Sequence, residues 1–153
     1  MVEIKEQFDV PAPARTVWNL LSDPQAVVGC VPGAVLGDQH EDGTFDGSLT
    51  VKFGPAKVTF RARIELELDQ AAMAGRVISK GKDSQGGTRF NATMGFSVSE
   101  QTAEVSTVTS SGQVEIYGKL AGLVESGAKI VVKRMAAEFA ERLAATCAGA
   151  NAK

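Results

Sequence analysis

Histidine is nearly absent from this chain of 153 residues: His40 is the single copy, so any Ser-His-Asp or Cys-His arrangement would have to be built on it. Cysteine is almost as scarce. Cys30 stands in a Pro/Gly-bounded loop and Cys147 near the C-terminus, without CxxC spacing and without a neighbouring histidine. Neither zinc nor a disulfide framework is expected, and both are read as reduced thiols. No run approaches the roughly 20 apolar residues that cross a bilayer, so no transmembrane segment is expected. Met1 to Phe8 alternates charged and apolar residues instead of forming a signal-peptide core, and a cytoplasmic location is the expectation. A net charge of −2 and a pI near 5.5 supply no broad positive field. With no Lys/Arg run long enough to track a phosphate backbone, nucleic acid is not an expected partner.

Catalytic and metal-binding patterns are thin for the same reason. Asp38, His40 and Asp42 alternate along one strand and could share a face, yet a two-His-one-carboxylate site lacks its second imidazole. Polar residues beside an Asp-Gly turn usually form a solvated strand end. Gly81 to Gly87 has neither the GxxxxGK[ST] nor the strand-GxGxxG-helix context of a phosphate loop. No metal, cofactor or catalytic residue is therefore assigned.

What the chain has in quantity is hydrophobic periodicity. Leu120, Val124, Gly127, Val131, Met135, Phe139 and Leu143 recur at three- and four-residue steps, which predicts an amphipathic helix over Lys119–Cys147. Such a stripe needs an apolar partner, and the strand patterns upstream provide it. Val2 to Val10 alternates up to Pro11. Pro13 and Asp23-Pro24 open two short helices, the second reaching about Val28. Ala34 to Glu41 leads to a two-residue hairpin at Asp42-Gly43, and Phe45, Gly47, Leu49, Val51 and Phe53 alternate until Gly54-Pro55. In Ala56–Asp69, Val58, Phe60, Ala62, Ile64, Leu66 and Leu68 share one face and seven polar residues, including Arg61, Arg63, Glu65 and Glu67, share the other. One face is buried and the other solvated. A weaker strand, Arg76–Lys82, precedes Phe90, Ala92, Met94, Phe96 and Val98. The last, Ala103–Tyr117, changes parity, which predicts a bulge near Ser106–Val108. The order predicts an α+β fold: a curved antiparallel sheet of seven strands, two short helices and a closing C-terminal helix. Residues 1–148 are read as one domain and 149–153 as a loose end.

Several local sequences resemble the carbon monoxide dehydrogenase G-subunit family: Phe8-Asp9-Val10-Pro11-Ala12-Pro13, Val17-Trp18, Asp23-Pro24, Cys30-Val31-Pro32-Gly33-Ala34, Phe53-Gly54-Pro55 and Gly118-Lys119-Leu120. More broadly, the element order resembles the helix-grip fold of START-type and pollen-allergen-like lipid-binding domains. The resemblance implies an apolar cavity between sheet and helix, and an accessory association with molybdenum-containing hydroxylases.

On the expected concave surface, the strands contribute Phe45, Leu49 and Phe53, then Phe60 and Ala62, then Phe90, Ala92, Met94 and Phe96, then Ser110 and Gly112. The helix contributes Leu120, Leu123, Val124, Gly127 and Val131. Small residues among them, Gly47 and Gly122 included, suggest that the facing surfaces leave room for a lipophilic ligand. Ser110, His40 and Tyr117 are candidate orienting groups. The expected function is non-enzymatic binding of a small hydrophobic molecule. The alternatives are an interaction or assembly module with a closed core and, further off, a hydrolase, cyclase or lyase. Ligand access is expected at the glycine-rich N-terminal half of the long helix, and the resemblance implies that the Cys30–Ala34 loop and the Gly54-Pro55 turn face it.

Overall fold

The computed structural model describes the backbone of residues 2–151. In chain order the elements are β1 (Val2–Val10), α1 (Ala14–Leu21), α2 (Pro24–Cys30), β2 (Ala34–Gln39), β3 (Phe45–Phe53), β4 (Ala56–Asp69), β5 (Ala74–Asp83), β6 (Thr88–Thr102), β7 (Val105–Gly118) and α3 (Ala121–Asn151). The strands form one antiparallel sheet in the order β1-β7-β6-β5-β4-β3-β2. The sheet is open and curved, and α3 lies against its inner face. Among the strands, α3 approaches β1 and β7 on one side and β3 on the other. It therefore bridges the two sides of the curve above the central strands β4, β5 and β6.

Local chemistry explains the boundaries. Pro13 is the N-cap of α1, one position earlier than its fixed φ suggested, and Asp23 caps α2 by accepting a hydrogen bond from the Gln25 amide at 3.1 Å. Gly118 turns the chain from β7 toward α3 with φ +113, a region that favours glycine. The next two residues are tied to the β5–β6 connection: the Lys119 amide donates to Gly87 O at 3.0 Å, and the Leu120 amide to Thr88 Oγ1 at 2.8 Å. The helix proper thus begins at Ala121, and it continues through Gly149 to Asn151, past the expected end at Cys147. Of the expected loose end 149–153, Ala152 and Lys153 lie outside the described residues.

Two sequence expectations are corrected. The β2–β3 connection is not a two-residue hairpin: β2 stops at Gln39, and His40 closes a longer loop, its amide donating to Thr44 O at 2.7 Å. Asp42 accepts from the Thr44 amide and hydroxyl, which stabilises a wider turn than Asp-Gly alone specifies. The expected bulge in the last strand is also absent. From Val2↔Val114 to Val10↔Ser106 the β1–β7 register is unbroken, and the irregularity falls in β6 between Glu100 and Thr102. Val105 and Thr107 face the convex side. Thr107 is nonetheless buried there, because Asp9 and Gln101 cover and hydrogen-bond its hydroxyl.

Two apolar clusters hold the ends of the grip. One joins Val10, Ala12, Val17, Trp18, Leu21, Cys30, Val98 and Val108 to Leu143 and Cys147 of α3. Trp18 is fully buried; it stacks on Phe96 at 6.0 Å and donates from Nε1 to Gln70 Oε1 at 2.6 Å, satisfying the only polar atom on its ring. The other cluster joins Val51, Phe53, Val58 and Ile116 to Val124 and Val131. Along α3, Val131 and Leu143 are buried, while Met135 and Phe139 between them are only half-buried.

Candidate functional site

The cross-strand register places the space between the clusters. Phe45, Ile64, Ser79, Ala92, Val114 and Val2 form one continuous row across the sheet. Leu66, Val77, Met94, Gly112 and Ile4 form the next. Side chains on one strand alternate between faces, so both rows point to the concave side that carries the two clusters. Every residue in them is half-buried, neither closed like Trp18 nor open like a convex-face lysine. This floor of apolar and small side chains reachable by solvent, beneath a helix supported on both sides, is the candidate trough.

The expected site residues divide into four groups. Phe45, Ala62, Ala92, Met94 and Gly112 lie on or beside this floor, with Ser110 opposite Phe96 in the following row. Phe53, Val124 and Val131 are buried in the wall at the start of α3, where Leu49, Phe60, Phe90 and Leu120 pack against them. Phe60 and Phe90 meet edge to face at 5.5 Å. Phe96 belongs to the opposite wall, against Trp18. Leu123 is 36 % exposed and borders a separate depression with Val58 and Lys119.

Most of the glycines do not create the space expected of them. An added Cβ at Gly127 would stand 3.0 Å from Phe53 Cδ1, so this glycine lets helix and aromatic ring approach. At Gly47 it would meet Ile64 Cδ1 at 2.6 Å, and at Gly112 it would collide with the Thr93 carbonyl and the Met94 sulfur. Neighbours already occupy those volumes. Gly122 is exposed with nothing nearby. Ala62 and Ala92 remain as small residues that leave the floor low.

The polar inventory also differs from expectation. His40 sits outside the trough and bonds Asp46 at 2.8 Å rather than joining Asp38 and Asp42. Thr44 holds the Asp42 carboxyl below its ordinary range by hydrogen bonding. Among the described residues no group of three or more His, Cys, Asp or Glu is placed to hold a metal ion. Tyr117 is 56 % exposed and donates to Glu115 at 2.8 Å, an interaction that raises the phenol pKa. Ser110 alone of the three orienting candidates faces inward. It is paired across strands with Glu6, which lies between Ile4 and Phe8 on the concave face and makes no ion pair or side-chain hydrogen bond among the described residues. Glu6 and Ser79 were missed. Glu6 interrupts an otherwise apolar period-two run, which was the available signal, whereas Ser79 sits in a strand blurred by Gly75 and Gly81.

The expected access rim is corrected in part. Phe53, next to the Gly54-Pro55 turn, does face the N-terminal half of α3 through Gly127. Cys30 lies at the other end, in the cluster of Cys147, with its sulfur 4.0 Å from Thr146 Oγ1. Both cysteines are free and buried, and burial first, then Cys30, raises the Cys147 thiol pKa.

Comparison with known proteins matches this architecture. A conserved protein from Geobacillus kaustophilus superposes with a TM-score of 0.83 at 19 % identity, covering 97 % of this chain and 96 % of its own. The Zhui aromatase/cyclase from Streptomyces sp. R1128 gives 0.63 at 16 % identity, with 95 % and 93 % covered. A START superfamily protein from Mycobacterium smegmatis gives 0.61 at 15 %, with 92 % and 96 % covered. At these identities the likeness establishes the fold alone. A search of curated protein sequences finds no significant match. Among sequence families, that of the carbon monoxide dehydrogenase G subunits (CoxG) matches residues 7–148, nearly the whole chain, and this protein belongs to that family.

Proposed function

We propose that the protein binds a small hydrophobic molecule in the trough between α3 and the floor of β4, β5 and β6, without transforming it, as an accessory to a molybdenum hydroxylase of the carbon monoxide dehydrogenase type. The observation that carries this reading is the pair of half-buried apolar rows running between two closed clusters. An interior meant only for stability would be packed through at uniform density. Burying 200 Å² of apolar ligand surface would be worth about 5 kcal/mol before the costs of association, enough to select for lipophilicity. Ser110 and Glu6 supply a polar spot at which one end of the ligand can be oriented. The family name supports the accessory assignment.

Native mass spectrometry of gently purified protein is the direct test. A mass increment that organic extraction removes, and whose extract rebinds the stripped chain, is the expected result. Protein that always runs at its bare mass and takes up no lipophilic dye would overturn the proposal in favour of an interaction module. Copurification of a molybdenum enzyme with the tagged chain tests the accessory role separately.

A further inference from the structure

The convex face carries a feature that the trough does not use. Arg61 and Arg63 of β4, Lys80 and Lys82 of β5, and Arg89 of β6 all project there and all are exposed. Arg61 lies directly opposite Lys82, Lys82 opposite Arg89, and Arg63 opposite Lys80. Like charges in directly opposed positions destabilise a sheet, and here they are adjacent in a chain whose net charge is −2. Among the five only Arg63 has counter-ions: its Nη1 stands 3.9 Å from Asp42 and its Nε 3.5 Å from Asp46, which His40 also engages and which lines the same groove. Arg61, Lys80, Lys82 and Arg89 make no ion pair among the described residues.

These five cations line a groove of about 720 Å³. Between the Lys80 and Lys82 side chains its lining is the Gly81 backbone. Val35, 63 % exposed on the edge strand β2, adds an apolar contact at one margin. Within β4 and within β5 the cations are two residues apart, which is about 6.8 Å, and the strands are about 4.8 Å apart. An extended peptide presents alternate side chains at the same interval of about 6.8 Å.

We propose that this groove docks an extended acidic segment of a partner protein, its alternate Asp or Glu side chains set against the Arg61/Arg63 and Lys80/Lys82 columns. Carboxylates there would relieve the cross-strand repulsion and use the planar guanidinium forks. The site is on the opposite face from the trough, so cargo and partner could be held together.

The test uses the full chain and a fluorescent nine-residue peptide of alternating Glu and Ser. Expected are saturable binding that weakens with salt, amide shifts at Ser48, Ala62 and Gly81, and at least a tenfold loss of affinity in Arg61→Glu/Lys82→Glu. A control of equal charge change on the exposed side of α3, Lys129→Glu/Lys133→Glu, should change affinity less than twofold. Equal loss in both variants would show a response to net charge and overturn the proposal. Displacement of the peptide by millimolar pyrophosphate, or groove-dependent flotation on phosphatidylglycerol vesicles in preference to the peptide, would overturn it in favour of a small-anion or membrane site.

Discussion

Ala92→Leu separates an open trough from a packed core. Ala92 is half-buried near the middle of the floor, between Ser79 on β5 and Val114 on β7. If the space above it is free, three added carbon atoms meet no resistance, and stability should change by no more than about 0.5 kcal/mol. Were the site already filled, overpacking would cost about 1 to 3 kcal/mol. The same three carbons should displace an equivalent part of any apolar ligand. At about 0.8 kcal/mol per methylene this is roughly 2 kcal/mol, or more than a tenfold rise in Kd. Leu143→Ala provides the contrast, because Leu143 is 1 % exposed within the Trp18 wall, and its truncation should cost about 2 to 5 kcal/mol. Urea denaturation gives the stabilities, and titration with a lipophilic dye gives the affinities. Strong destabilisation by Ala92→Leu, with dye binding unchanged, would refute the trough.

Thr88→Val should remove the hydrogen bond to the Leu120 amide and cost about 1 to 2 kcal/mol, with faster amide exchange confined to the start of α3. Amide exchange should also be faster over Ala121–Gly127, which contains two glycines, than over Phe139–Cys147, and a bound apolar ligand should slow it; uniform, ligand-insensitive protection would reject access at that end. Phe139→Ala should cost about 2 kcal/mol by denaturation, below the 3 to 5 kcal/mol of a fully buried Phe, because Phe139 is half-buried against Phe8. Cys147 should resist alkylation in the native state. Its raised pKa contributes stability that is complete below the ordinary thiol pKa and lost as pH rises from there through the folded value, so Cys147→Ala should flatten the alkaline limb of the stability profile.

How much of this was legible in the sequence depended on whether periodicity or three-dimensional placement decided the feature. The β4 alternation and the α3 stripe could be read directly, since one buried face per element leaves its mark on every second or every third and fourth residue. Parity in β7 misled: Val105 and Thr107 face the convex side of a regular strand, where Asp9 and Gln101 bury Thr107, so the change of parity needed no bulge. Glycine was the least legible signal. Gly47, Gly112 and Gly127 looked like vacant volume, yet Ile64, Met94 and Phe53 fill it from neighbouring positions. The convex cations of β4 read as an ordinary solvated face. Only the register with β5 and β6 shows them stacked against Lys80, Lys82 and Arg89.

The same register bears on whether the shell holds or transforms its ligand. General acid–base chemistry requires a titratable group within hydrogen-bond reach of the reacting atom, and usually a second group to orient it or complete the proton transfer. The described strands place Glu6, Ser79 and Ser110 along the trough, and they place no lysine, histidine or tyrosine on that face. His40 and Tyr117 are committed to Asp46 and Glu115 on the exterior. A carboxylate opposite a serine can hold the polar end of a molecule, which is the binding task proposed for this trough. An oligocyclic or chain-like ligand anchored there would lie along the apolar rows toward Ala92 and Met94. Release would require α3 to part from one of its two supports, and on the β3 side this means separating Val124 and Val131 from Val51, Phe53 and Val58.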